Sequence, residues 1–378
     1  MKTKMSNINT YLANANEPLT ATNYNEIDAL VFAQLSYVPF EKIFKDYTKL
    51  CMSVCRFAQV IVEQGAVKQS NTFNTYAWEI IPNSYYENCS ETKKTFLRNL
   101  SRSRRFERCS IHHFCAVLTQ DSQWAAFTVD IDEGNGVISM RGTDKTAAGW
   151  EEDLQLGYSV IGTGAQLAAF RYIKESKVQK LYLTGHSKGG SNVSSAYAMS
   201  NPYVRDKIIC IHNFDGPGVN PEFAANYRDG YKELQFKLYN YYPRDSIVGL
   251  LLNDNPGNTY YMETDVAAIY GKLSIIAQHD AFTWKIENGE FLLAEQSCIS
   301  DKLNHVTDEL LRVTNREQRL YLINLLERMA VPEMIAGEFD GVPGKIAAAL
   351  GGFAKAPQKE RKAFYKAVFI FMKSVLWK

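Results

Sequence analysis

One ten-residue stretch constrains this chain more than any other. Residues 181–190 read Leu-Tyr-Leu-Thr-Gly-His-Ser-Lys-Gly-Gly: an apolar run, a G-x-S-x-G turn, and then a helix-compatible segment to Met199. A strand, a tight glycine-flanked turn and a helix in that order belong to an α/β architecture. A serine at the apex of such a turn has its hydroxyl exposed, and small residues two before and two after it avoid clashes that the turn would otherwise force. The helix behind it aims backbone N–H groups at any negative charge that develops there. Ser187 is therefore a candidate nucleophile. The alternatives are an ordinary Gly-rich strand-to-helix turn or a phosphate cradle, but the G-x-x-x-x-G-K-[ST] pattern of a cradle is absent from the sequence.

The surrounding chain supports the same class. Residues 114–118, 124–129 and 137–140 read as short strands, with a turn over 132–136 between the last two. Residues 166–173 read as a helix, and 207–214 and 236–241 as further strands. Apolar runs without alternation predict strands covered on both faces, as in a parallel sheet. The chain divides into an N-terminal helical cap region (1–110), an α/β core (111–297) and a C-terminal helical extension (298–378). Helical spacing is clearest over 23–37 and 57–64 in the first zone. The end of the third, 355–378, holds seven Lys/Arg against one Glu on an amphipathic pattern. That pattern suits either packing on the main domain or peripheral contact with an anionic membrane surface.

Composition excludes several classes. The 378 residues are 46% hydrophobic and 22% charged, which sets aside disordered, collagen-like and coiled-coil chains. Lys+Arg at 42 against Asp+Glu at 41 gives a net charge of +1, with no global field for nucleic acid. Seven cysteines at irregular spacing do not read as a disulfide framework. No signal-peptide h-region and no membrane-spanning apolar stretch is visible, so a cytoplasmic location is expected. Cys109, His112, His113 and Cys115 lie within seven residues, but on an extended strand alternate side chains diverge, so a metal is not expected.

A serine nucleophile needs a base and an orienting acid, which in α/β-hydrolases follow it in the order Ser, Asp/Glu, His. His212 sits inside an apolar run and reads as a strand residue, whereas His279 follows the apolar 273–277 stretch in a loop and suits the base. Two aspartates compete for the acid at strand ends: Asp245, on the later strand and favoured for that reason, and Asp215 in Phe-Asp-Gly-Pro-Gly, which otherwise reads as a turn-former. The oxyanion needs donors. The Lys188 N–H is one, and Thr143, after the 137–140 strand, offers the other.

Arg141-Gly142-Thr143, Gly149-Trp150-Glu151-Glu152-Asp153-Leu154 and Gly185-His186-Ser187-Lys188-Gly189-Gly190 together resemble the lipase class 3 branch of the α/β-hydrolases. Phe214-Asp-Gly-Pro217 is similar to that family's Phe-Gly-x-Pro loop, Asp245-Ser-Ile-Val248 to its Asp-x-Val-Pro acid segment, and His279 with nearby Trp284 to its late histidine. More closely, the ordered set resembles the Mbeg-like domain of unknown function found in bacteria, over roughly residues 23–290. The chain departs from the lipases at Lys188 (usually Leu or Met), at Asp215 in the Phe-x-x-Pro loop, and at Gly249 after Val248. The resemblance implies an α/β-hydrolase fold and a cofactor-independent serine hydrolase. Ser187, His279 and Asp245 would form its triad, with an ester or lipid as substrate. A non-catalytic binding protein on the same fold, or a thioesterase or peptidase, are the other readings.

Overall fold

A computed structural model describes residues 6–66, 80–81, 84–119, 122–143, 152, 155–252, 255–270, 276–317 and 319. Its centre is a nine-stranded sheet in the order β1-β2-β3-β4-β5-β6-β7-β8-β11. The strands are β1 Cys51–Ser53, β2 Ser110–Leu118, β3 Gln123–Asp132, β4 Asn135–Met140, β5 Lys180–His186, β6 Ile208–Phe214, β7 Leu238–Pro243, β8 Asn258–Met262 and β11 Leu293–Ala294. The short pair β9 Ile286–Glu287 and β10 Glu290–Phe291 forms a separate ribbon. Strands β4 to β8 run parallel. An antiparallel β1–β2–β3 meander extends one side of that block, and β11 extends the other. The β3–β4 hairpin turns through Gly134 at φ +77°, a conformation that glycine adopts without steric cost.

The strand order explains why the N-terminal hundred residues are needed. Parallel strands that follow one another in a single direction are joined by right-handed crossovers, which puts every connecting helix on the same face. Helices α7 Gly164–Glu175 and α8 Lys188–Met199 lie on that face with the helices between β6 and β7. Ile138, Leu183, Val193, Ala196 and Ile211 are buried there. The opposite face would be bare. It is covered by α1 Ile8–Asn14, α2 Glu26–Leu35, α4 Val54–Ala66 and α6 Glu91–Ser101, with the short α3 Phe40–Ile43 and α5 Tyr85–Asn88 between them. Leu30, Phe32, Phe57 and Leu100 pack there with Phe127 and Phe214. The fold is thus α/β, an α/β-hydrolase type of layered sheet. The described helices before β2 form one of its layers.

Helix α2 shows the consequence locally. Residues Ile27 to Leu35 are all buried, as expected of a helix apolar on every side. Asn25 and Asp28 form a reciprocal capping box at its start. Asp28 also accepts hydrogen bonds from Arg105 and from the Tyr11 hydroxyl, a buried cluster tying three segments of this layer together. Along β2, His112 pairs with Asp130 at 2.9 Å and a bulge separates His112 from Cys115. Among the described residues no group of His, Cys, Asp or Glu is placed to hold a metal ion, and no helix is long and apolar enough to cross a membrane. The C-terminal zone is described through the helix Cys298–Val313 to Arg319; the basic stretch 355–378 lies outside the described residues.

Candidate functional site

Strand β5 ends at His186, and α8 begins at Lys188. Between them Ser187 sits at φ +58°, ψ −135°, a conformation that costs a non-glycine residue about 1–3 kcal/mol and survives only where the surroundings impose it. The surroundings are visible. A Cβ on Gly185 would fall 2.2 Å from the Gly189 carbonyl carbon, and one on Gly189 would fall 2.2 Å from the Met140 carbonyl oxygen. Only a chain without those carbons can make the turn so tightly against β4. The Ser187 N–H donates to the Phe214 carbonyl at 2.9 Å, which holds the turn to β6.

The two residues expected to supply oxyanion donors, Lys188 and Thr143, lie on two elements. Lys188 is the first residue of α8, where an N–H has no acceptor within its own helix. The end of β4 runs alongside the turn: a Cβ on Gly142 would lie 3.1 Å from the Ser187 Cβ, which places Thr143, the next residue, beside it.

His279 ends a short 3₁₀ turn, Ile276–His279. Its Nδ1 donates to Asp215 Oδ2 at 2.6 Å. Asp215 follows β6, is fully buried, and has φ +50°. It also accepts from the Ser246 hydroxyl at 2.5 Å and from the Gly249 N–H at 3.0 Å. Three donors converge on this one carboxylate and fix its position. Asp245 is elsewhere: its Oδ2 accepts from the Gln278 amide at 2.6 Å. The structure therefore brings Asp215 to His279 and puts Asp245 one residue away, on the side chain of Gln278. The expectation rested on strand order. The turn at Asp215 aims its carboxylate at the histidine loop, whereas the turn after β7 sends Ser246, not Asp245, toward that cluster.

The sequence matches the Mbeg1-like family over residues 100–327, well over half of the chain. The chain belongs to the Mbeg1-like family. No curated protein matches it. Among solved structures it is similar to one described as the crystal structure of M37 lipase, at 12% identity and a TM-score of 0.29, covering 75% of this chain and 97% of that one.

Two buried groups of this Mbeg1-like protein escaped the sequence reading. The side chain of Lys188, whose backbone N–H faces the site, runs back into the core. Its Nζ donates to Glu152 Oε2 at 3.0 Å and to the Gln123 carbonyl at 2.9 Å. Glu152 also accepts from the Ser122 hydroxyl and from the N–H groups of Gln123 and Ala165. The departure from the lipase pattern at Lys188 is thus one half of an internal ion pair. Removing one partner of such a pair leaves a buried charge uncompensated, at about 3–5 kcal/mol. Lys188→Met is expected to lose about that much unfolding free energy in urea titration, and Lys188→Met with Glu152→Gln to recover most of it. A single variant as stable as wild type would contradict the pairing.

His186 and His212 are two further buried titratable groups near the elbow. Burial, with the nearby His279 adding to it, holds His186 well below the usual histidine range. His212, the rejected candidate for the base, lies inside β6, stacked between aromatic rings with Cys210 Sγ 3.3 Å from Nε2. Burial alone pushes its pKa down to about 3. The folded state then binds fewer protons than the unfolded state between about pH 3 and the unfolded histidine value near 6.5. This contribution is complete above pH 6.5 and is lost as pH falls toward 3. His212→Phe is expected to flatten the acid side of the stability profile by about 1.4 kcal/mol per pH unit within that window. Urea titrations at pH 7, 6, 5 and 4 test this; parallel profiles would refute it.

Proposed function

We propose that this protein is a serine hydrolase of carboxylic esters, with a lipase- or esterase-like acyl substrate, working through an acyl-enzyme on Ser187. The observation that carries this is a serine at positive φ on a strand-to-helix turn, in a fold whose buried Asp215 orients His279 at 2.6 Å. In this reading His279 takes the Ser187 proton as the hydroxyl attacks the acyl carbonyl, then delivers it to the leaving alcohol. Asp215 takes the orienting role that the sequence reading gave to Asp245. It fixes the His279 tautomer through Nδ1–H and stabilises the imidazolium. The N–H groups of Thr143 and Lys188 hold the oxyanion, the second with the field of the α8 N-terminus behind it. Water then resolves the acyl-enzyme by the same route in reverse. None of these steps calls for a metal or cofactor. The likeness of the ordered motifs to the class 3 lipases favours oxygen esters over amides. The basic stretch 355–378 would, on this reading, offer contact with a lipid surface.

Steady-state hydrolysis of p-nitrophenyl esters of graded acyl length, beside matched thioester and anilide substrates, tests the substrate class. Ester turnover with the highest kcat/KM is the expected result. Preference for the thioester or the anilide would move the protein to another hydrolase class. Folded protein inert to all three would favour a non-catalytic binding role.

A further inference from the structure

We propose that Tyr37 is a positioning residue for His279, acting through His186; the inference rests on the hydrolase reading for its kinetic consequence and on the hydrogen-bond geometry alone for its chemistry. Tyr37 comes from the N-terminal layer, outside the span that matches the family. It reaches the site because Arg141, at the end of β4, grips the chain on both sides of it. Arg141 Nε donates to the Ser36 carbonyl at 2.6 Å and Nη2 to the Val38 carbonyl at 2.7 Å. The guanidinium also forms a bidentate pair with Glu41 at 2.8 and 2.9 Å, and stacks over Phe40. Arg141 is therefore committed to holding this segment and is not turned toward a substrate carboxylate or phosphate.

The Tyr37 hydroxyl lies 2.8 Å from His186 Nδ1. At the other side of the same ring, Nε2 lies 2.8 Å from the backbone carbonyl of His279. A carbonyl can only accept, so Nε2 carries a proton. Burial keeps the ring neutral, so Nδ1 is a bare lone pair; the Tyr37 hydroxyl donates to it at 2.8 Å, the His186 carbonyl at 3.3 Å being the more distant acceptor for the same proton. The direction of the whole chain is thus fixed: Tyr37 O–H to Nδ1, then Nε2–H to the His279 carbonyl. The two imidazoles lie 4.6 Å apart. His279 is then held at its backbone by His186 and at its ring by Asp215. The space is equally specified, since a Cβ on Gly142 would fall 2.2 Å from the Tyr37 hydroxyl. That hydroxyl fills the gap between the β4 end and the nucleophile turn.

Without it, the Nε2–H tautomer rests on the His279 carbonyl alone, and the buried Nδ1 lone pair loses the donor that anchors that side of the ring. The alternative tautomer puts a lone pair against the His279 carbonyl and pushes the histidine loop away. A displacement of about 1 Å in a catalytic group can cost about a hundredfold in rate. Tyr37→Phe in the full-length protein is expected to lower kcat and the rate of fluorophosphonate reaction about 10- to 100-fold, with KM within about twofold of wild type. His186→Gln keeps an amide donor for the His279 carbonyl but needs no partner at Nδ1. In that background Tyr37→Phe should have little further effect, a non-additivity that independent structural roles would not produce. In parallel, ¹⁵N spectra of histidine-labelled protein should show His186 as a single Nε2–H tautomer in wild type and as a mixture in Tyr37→Phe. Wild-type rates in Tyr37→Phe, or an unchanged tautomer, would overturn the proposal. An unreactive wild-type protein that still shows the tautomer shift would instead overturn the hydrolase reading and leave the relay standing.

Discussion

Ser187→Ala is expected to lose about four to six orders of magnitude in kcat on any ester that the wild type turns over, because no other group can form the acyl intermediate. The same variant should stay within about 1 kcal/mol of wild-type stability. Ser187 is 9% exposed, and the turn is imposed by the glycine contacts around it rather than by its hydroxyl. The comparison must therefore be made on protein whose urea titration matches wild type. Residual ester hydrolysis above about a hundredth of the wild-type rate, in protein free of contaminating esterase, would remove Ser187 as nucleophile.

The second large effect separates two carboxylates. In Asp215→Asn the side-chain carbonyl can still accept from Ser246 and Gly249, but its amide then faces His279 as a donor. His279 must turn to the tautomer with a proton on Nε2, the nitrogen that should take the serine proton. That exchange in a Ser-His-Asp arrangement costs about 10⁴-fold in kcat. Asp245→Asn keeps a carbonyl acceptor for the Gln278 amide and touches His279 only through the chain, so a loss of less than about tenfold is expected. Rates of both variants on one ester decide the matter. A larger loss at Asp245 would return the acid to the position that strand order favours and make the Asp215 contact a structural one.

The contrast between these residues shows what a sequence can disclose here. The turn at Ser187 is legible because all its determinants lie within ten residues: an apolar strand, glycines at 185 and 189, and a helix behind. Strands β3 to β7 are legible for the same local reason, as apolar runs punctuated by turns. The acid is not, because its partner lies 64 residues away and the choice depends on which strand end reaches the histidine loop. A left-handed turn at an Asp-Gly-Pro sequence was the one available sign, and it reads equally well as ordinary turn chemistry. The helical spacing of residues 23–37 was visible, but its placement was not. That placement follows from the sheet's monotonic strand order, which leaves one face for the N-terminal layer to cover. Tyr37 and the Lys188–Glu152 pair were hidden in the same way. Each is a long-range contact between residues that are unremarkable in isolation. Strands β8 and β11 are short and partly exposed, and carry too little apolar pattern to be read.

The central claim is that Ser187 is an activated nucleophile, and the most direct test reads it without assuming any substrate. Full-length protein is treated with a fluorophosphonate probe, digested, and mapped by mass spectrometry, with Ser187→Ala in parallel. One stoichiometric adduct on the peptide bearing Ser187, absent from the variant, is the predicted result. Folded wild-type protein that takes up no adduct, or carries it equally in the variant, would contradict the account.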